Sequence, residues 1–110
     1  MTTIVMPRDR NSAPIPVLSF VRGSGTHKIS FNATSARNST PFVSPVLSIY
    51  ATEDCYIEVG GAGVTSSTSR HFIPKLVYLD IELGDASGMA THLAVVQATA
   101  SGTLYISERI

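Results

Sequence analysis

The sequence predicts an all-β domain, an antiparallel β-sandwich preceded by an extended N-terminal arm. Three observations carry that expectation. From Pro45 onward, alternating apolar and polar residues form runs separated by Gly, Ser and Thr. Over the whole chain there are about seven strand-like runs, with turns every eight to twelve residues, the pattern of a sandwich or barrel. No stretch of helical length holds apolar positions at helical spacing with a cap. The first fifteen residues carry little hydrophobic periodicity and are rich in proline.

The elements follow in order. Residues 1–15 form an arm, with Pro7 and Pro14 before Pro16. Proline removes backbone donors and biases its neighbours to extended forms. The domain proper is expected over 16–110. Val17 to Arg22 reads as a first strand. Gly23-Ser24-Gly25 is a turn, and Ile29 and Phe31 alternate in a second strand, so the pair predicts a hairpin. Ala33 to Ser44 is polar and long, as expected of a binding loop or a crossing between sheets. Val46 to Ala51 alternates and leads into the Cys55 strand, which Gly60-Gly61-Ala62-Gly63 ends. Val64 to His71 is a Ser/Thr loop or a short edge segment. Lys75 to Leu83 is the clearest strand, with Val77, Leu79, Ile81 and Leu83 on one face. His92 to Ala98 is apolar on both faces, as a central strand requires. Ser101-Gly102 turns into Thr103 to Ser107, expected to close a hairpin.

Composition bounds the class. A chain of 110 residues makes one domain and buries one core without disulfides or metal. Only 15% of residues are charged and the formal net charge is zero. Low net charge favours association, so part of the surface is expected to be covered by partners. A surface made mostly of Ser and Thr is the plainer alternative. The total hides a dipolar chain. Arg8, Arg10, Arg22, Lys28 and Arg37 against Asp9 give the first 45 residues a charge of +4. Arg70, Lys75 and Arg109 against Glu53, Asp54, Glu58, Asp80, Glu82, Asp85 and Glu108 give the rest −4. Such a chain pairs with neighbouring copies or lays a basic arm on an acidic partner.

The residues of chemistry are dispersed. His27, His71 and His92 lie in separate segments, without the short-range ligand pairs of metal sites; His92 near Asp85 reads as a surface pair. Cys55 is in phase with Ile57 and Val59, and reads as a small buried hydrophobe. Asp80 and Glu82 share a strand face, the ordinary polar side of a half-exposed strand. The Gly60–Gly63 run is followed by Ser and Thr with no G-K-[ST], so it is a loop and not a phosphate cradle. No catalytic residue, metal ligand, cofactor or small-molecule substrate is expected. Zero net charge argues against nucleic acid. No apolar run approaches a membrane span, and Met1 to Pro7 lacks the apolar core of a secretory signal. Tyr50, Tyr56, Tyr78 and Tyr105 lie opposite the expected core face of their strands. That placement suits a protein interface, where Tyr is enriched, and equally a sugar-binding face.

The run Ile49 to Gly60, Ile-Tyr-Ala-Thr-Glu-Asp-Cys-Tyr-Ile-Glu-Val-Gly, has an echo in His92 to Ser107. Their order, with a Ser/Thr loop and a strand after proline between them, is similar to small structural proteins of tailed bacteriophages. The resemblance covers residues 45–108 and includes no catalytic motif. It implies a virion component of β-sandwich type, best matched in size by capsid decoration proteins of the cement or staple kind. The expectation is a jelly-roll-like sandwich on the outer capsid surface, made in the host cytoplasm. Its partners would be the major capsid protein and itself, as a homodimer or homotrimer. Pro7, Arg8, Arg10, Pro14, Ile15 and Pro16 are the expected partner-binding residues of the arm. A tail or head–tail joining component and a carbohydrate- or receptor-binding domain are the alternatives.

Overall fold

The computed structural model describes residues 19–21, 23, 25–84 and 88–109. Within them lie eight strands: β1 (Thr26–Phe31), β2 (Ala36–Arg37), β3 (Val46–Ala51), β4 (Cys55–Gly60), β5 (His71–Ile73), β6 (Tyr78–Glu82), β7 (His92–Gln97) and β8 (Gly102–Arg109). They form two four-stranded antiparallel sheets packed as a sandwich. The first sheet has the order β1-β8-β3-β6 and the second β2-β7-β4-β5. Consecutive strands change sheet at every step except one, from β4 to β5.

The core follows from the period of two along each strand. The first sheet turns Ile29, Phe31, Leu47, Ile49, Leu104 and Ile106 inward, and all are buried. Cys55, Ile57, Ile73, Leu93 and Val95 meet them from the second sheet. Phe42 and Leu83, from the connecting segments, join the same cluster. As expected of a central strand, β7 is buried on both faces, from His92 to Val96.

Two expected hairpins are absent. Phe20 bridges Arg109, and the Val21 N–H donates to the Glu108 carbonyl at 2.9 Å. β1 also pairs antiparallel with β8, from Thr26 opposite Ser107 to Phe31 opposite Gly102. Segment 19–21 and β1 therefore run the same way along one neighbour, and the glycines between them pucker the chain without reversing it. Gly23 has φ +66°, and a Cβ on Gly25 would stand 2.6 Å from the Val21 Cβ. Residues 17, 18 and 22 of the expected first strand lie outside the described residues. The expected closing hairpin fails because β7 and β8 belong to different sheets, so residues 98–101 carry the chain across the sandwich.

β6 begins later than its alternation predicts. The Lys75 N–H donates to Asp54 Oδ1 and the Leu76 N–H to the Ala51 carbonyl, each at 2.8 Å. These bonds tie residues 75 and 76 to the β3–β4 turn, and Leu76 takes a left-handed φ of 61°. β2 and β5 have two and three residues, too short to show a period. The arm 1–15 and Pro16 lie outside the described residues, as does Asp85.

Candidate functional site

The outer face of the first sheet is built by register. Leu47, Ile49 and Ala51 point into the core, so Val46, Ser48 and Tyr50 point out. On the neighbouring strands the same parity turns out Lys28, then Tyr105, Ser107 and Arg109, then Tyr78, Asp80 and Glu82. Pairing sets these in rows. Lys28 is opposite Tyr105, Tyr105 is opposite Tyr50, and Tyr50 is opposite Tyr78. One row thus crosses all four strands with one large side chain from each. The Tyr50 and Tyr78 rings lie 6.4 Å apart, and Lys28 Nζ is 5.9 Å from the Tyr105 ring centre. Tyr78 is 55% exposed and Tyr105 45%.

The next two rows are polar and charged. Thr26, Ser107, Ser48 and Asp80 form one; Arg109, Val46 and Glu82 lie beyond it. Arg109 Nη1 donates to Ser48 Oγ at 2.9 Å, and Ser48 Oγ donates to Asp80 Oδ1 at 2.5 Å. The Arg109 guanidinium stands 4.2 Å from the Phe20 ring centre. Cations therefore occupy the β1 and β8 side of the face and carboxylates the β6 side. A hollow of about 320 Å³ opens beside Lys28, lined by Thr26, His27, Lys28, Tyr105, Ile106 and Ser107.

Three of the four tyrosines singled out from the sequence share this row, while Tyr56 does not. It lies on the second sheet, half-buried, with its ring 5.4 Å from that of Phe72. Part of that sheet's outer face, over β7, is crossed by its own chain, while Phe72 on β5 is 51% exposed. The Ser66 N–H donates to Ser35 Oγ and Ser66 Oγ to the Tyr56 carbonyl, each at 2.8 Å. Tyr56 pairs with Val96, and Ser35 precedes Ala36, which pairs with Val95. Ser66 therefore passes over β7, where Ala94 and Val96 are buried. Glu58 anchors the end of the same loop, with Arg70 Nε at 3.6 Å and His71 Nε2 at 3.8 Å.

The titratable groups nearest the core serve the fold. Cys55 is fully buried; burial, then the charge of Asp54, pushes its thiol up to about 12, so it stays protonated and unreactive. Glu108, 1% exposed, is in phase with Leu104 and Ile106 on the core face. Its Oε1 accepts from the Val43 and Ser44 N–H groups at 2.7 and 2.9 Å. Its Oε2 meets His27 Nε2 at 2.8 Å. Burial pushes the carboxyl up, but the hydrogen bonds from His27, Ser44 and Val43 outweigh it and hold the group below its ordinary value. The Ser44 hydroxyl donates to the Arg109 carbonyl, and the His27 ring meets Phe42 edge-on at 4.8 Å. The 42–44 segment is thereby locked onto β8 and β1. Sequence reasoning passed over this pair, although His27 and Glu108 sit in the apolar phase of their strands, where a charged group needs a partner.

His92 is buried with its Nδ1 2.9 Å from Thr91 Oγ1. Among the described residues no three of His, Cys, Asp and Glu gather as a metal site would need. No helix among them is long and apolar enough to cross a membrane. No protein-family model, curated protein or solved structure matches the chain.

Proposed function

We propose that this chain is a non-enzymatic structural protein of a virion, a jelly-roll decoration protein that binds the outer shell and stabilises contacts between major capsid subunits. The observation that carries the reading is the outward row of Tyr105, Tyr50 and Tyr78, its two outer members exposed and Tyr50 half-buried between them, across a largely polar face. Contiguous exposed aromatic surface marks an interaction site, and tyrosine is enriched in protein interfaces.

Strand pairing supports the jelly-roll part. β1 pairs with β8, β2 with β7, β3 with β6 and β4 with β5. That is one long ribbon with its tip at β4–β5, rolled until β3 meets β8 and β4 meets β7. Double-sheet jelly rolls recur in viral capsid and lectin domains. The engaged states of Cys55, Glu108 and Asp80 support a structural role for these groups. Residues 1–15 supply the contact with the shell in this reading, through Arg8 and Arg10 on acidic groups, with Pro7, Pro14, Ile15 and the adjoining Pro16 as further contact residues. The lectin precedent and the hollow beside Tyr105 and Lys28 favour sugar binding as the second reading.

The test compares the full chain with a deletion of residues 1–15 on undecorated shells. The deletion is expected to leave a folded domain that no longer binds. Binding at full affinity after deletion overturns the role of the arm, and a full chain that never binds shells overturns the decoration reading. A saturable signal on a glycan array, lost in Tyr105→Ala, moves the assignment to sugar binding.

A further inference from the structure

We propose that the outer face of the first sheet is the interface of a homodimer, with the two-fold axis running along the strands. The partner is a second copy of this chain. The inference rests on the geometry of the face, and the shell-binding assay tests the capsid reading separately.

The charge pattern selects both the partner and the axis. Lys28 lies at the β1 side of the face, while Asp80 and Glu82 lie on β6, the opposite edge strand. The ion pairs formed among the described residues, His27–Glu108, Arg70–Glu58 and His71–Glu58, use none of these three, although Asp80 Oδ1 accepts from Ser48 Oγ. The face is thus dipolar across its strands, and its best complement is itself turned around.

Two copies of a sheet meet face to face about an axis lying in the interface, and an isologous contact uses the same patch twice. An axis across the strands sets β1 over β1 and β6 over β6, which brings lysine toward lysine and carboxylate toward carboxylate. An axis along the strands reverses the strand order and keeps the rows level. β1 of one copy then covers β6 of the other. Tyr105 covers Tyr50 of the second copy, and Lys28 covers Tyr78 of the second copy. Asp80 of the second copy is one row away, about 7 Å along the strand, within reach of a lysine stem. The tyrosines stack in the centre and the opposite charges close both rims. Packed sheets stand about 10 Å apart with strands within about 30° of parallel, so side chains of this size interdigitate.

The outermost strands lie about 15 Å apart, which makes a contact at the small end of specific interfaces and a dimer that dissociates on dilution.

Sedimentation velocity of the full chain over a concentration series, at low and high salt, tests the proposal. The expected result is a monomer–dimer equilibrium that weakens with salt and is lost in Tyr105→Ala. Lys28→Glu and Asp80→Lys should each weaken self-association about tenfold, because each sets like charges together at both rims. An equimolar mixture of these two variants should dimerise again, since opposite charges then meet at both rims. That recovery also shows that both variants are folded. A chain that stays monomeric throughout overturns the proposal and leaves the face to another partner. A trimer or larger ring overturns the two-fold arrangement. A dimer insensitive to Tyr105→Ala, or variants whose mixture fails to recover, places the contact elsewhere.

Discussion

The first sheet leaves the row of Lys28, Tyr105, Tyr50 and Tyr78 on its outer face, whereas over the second sheet Ser66, from the β4–β5 loop, bonds to Ser35 and Tyr56 on either side of β7. Chain path explains the difference. β4 to β5 is the one connection that begins and ends in the same sheet, so its loop remains beside that sheet and folds onto the outer face. No connection between the described strands begins and ends in the first sheet. The inner faces differ as well. The buried strand residues that the second sheet turns inward are apolar groups such as Cys55, Ile57, Leu93 and Val95, while the first buries Glu108 and holds it with His27 and two backbone donors.

The buried carboxylate offers the largest expected effect. Glu108→Ala leaves the buried Ser44 N–H and its neighbour without their acceptor, and should lower the free energy of unfolding by about 3 kcal/mol in urea denaturation. An unchanged midpoint would mean that the 42–44 segment does not depend on this carboxylate. The same group sets an acid limb. Its folded value lies below the ordinary one, so its contribution is complete above about pH 4.3 and is lost as pH falls through the lowered value. The stability difference between wild type and Glu108→Gln should therefore shrink as acid is added.

A smaller effect is expected on the inner face of the second sheet. Cys55→Ser places a hydroxyl among apolar side chains and should cost about 2 kcal/mol. Thiol reagents should label Cys55 only as fast as the domain unfolds; rapid labelling of the native protein would contradict its burial. The cover on that sheet contributes less. Ser66→Ala removes the donor to the Tyr56 carbonyl, should cost about 1 kcal/mol, and should speed proteolysis within residues 61–70. Unaltered proteolysis would mean that other contacts hold the loop down. The smallest change sits at the edge of the bare face. Leu76→Gly relieves a left-handed backbone at an exposed position and should raise stability by about 0.5 kcal/mol. A loss instead would show that the Leu76 side chain stabilises the fold despite its exposure.

Alternation within a strand was legible in the sequence because it is local. Val46 to Ala51 was bounded as β3 is, and Ile29, Ile57, Leu79 and Leu104 fall on the sides their phase indicated. β2 and β5 were illegible as strands because two or three residues carry no period. Both hairpins were inferred from glycine-containing turns, and a turn does not reveal whether the next strand returns to the same sheet. Among the candidate site residues, the outward placement of Tyr50, Tyr78 and Tyr105 was readable from phase, whereas their common row was not.

By itself, the amino-acid order determined that this is a β domain with Cys55 buried and its tyrosines opposite the core, because side-chain direction along a strand depends on nearest neighbours. Only the tertiary structure decided which strands lie side by side, since pairing depends on how the whole ribbon winds. That winding set three tyrosines in one line and Tyr56 on the other sheet. It also brought His27 to Glu108 across 81 positions of the chain. Periodicity within one strand contains no information about the register between strands that far apart, and register is what turns scattered residues into a face.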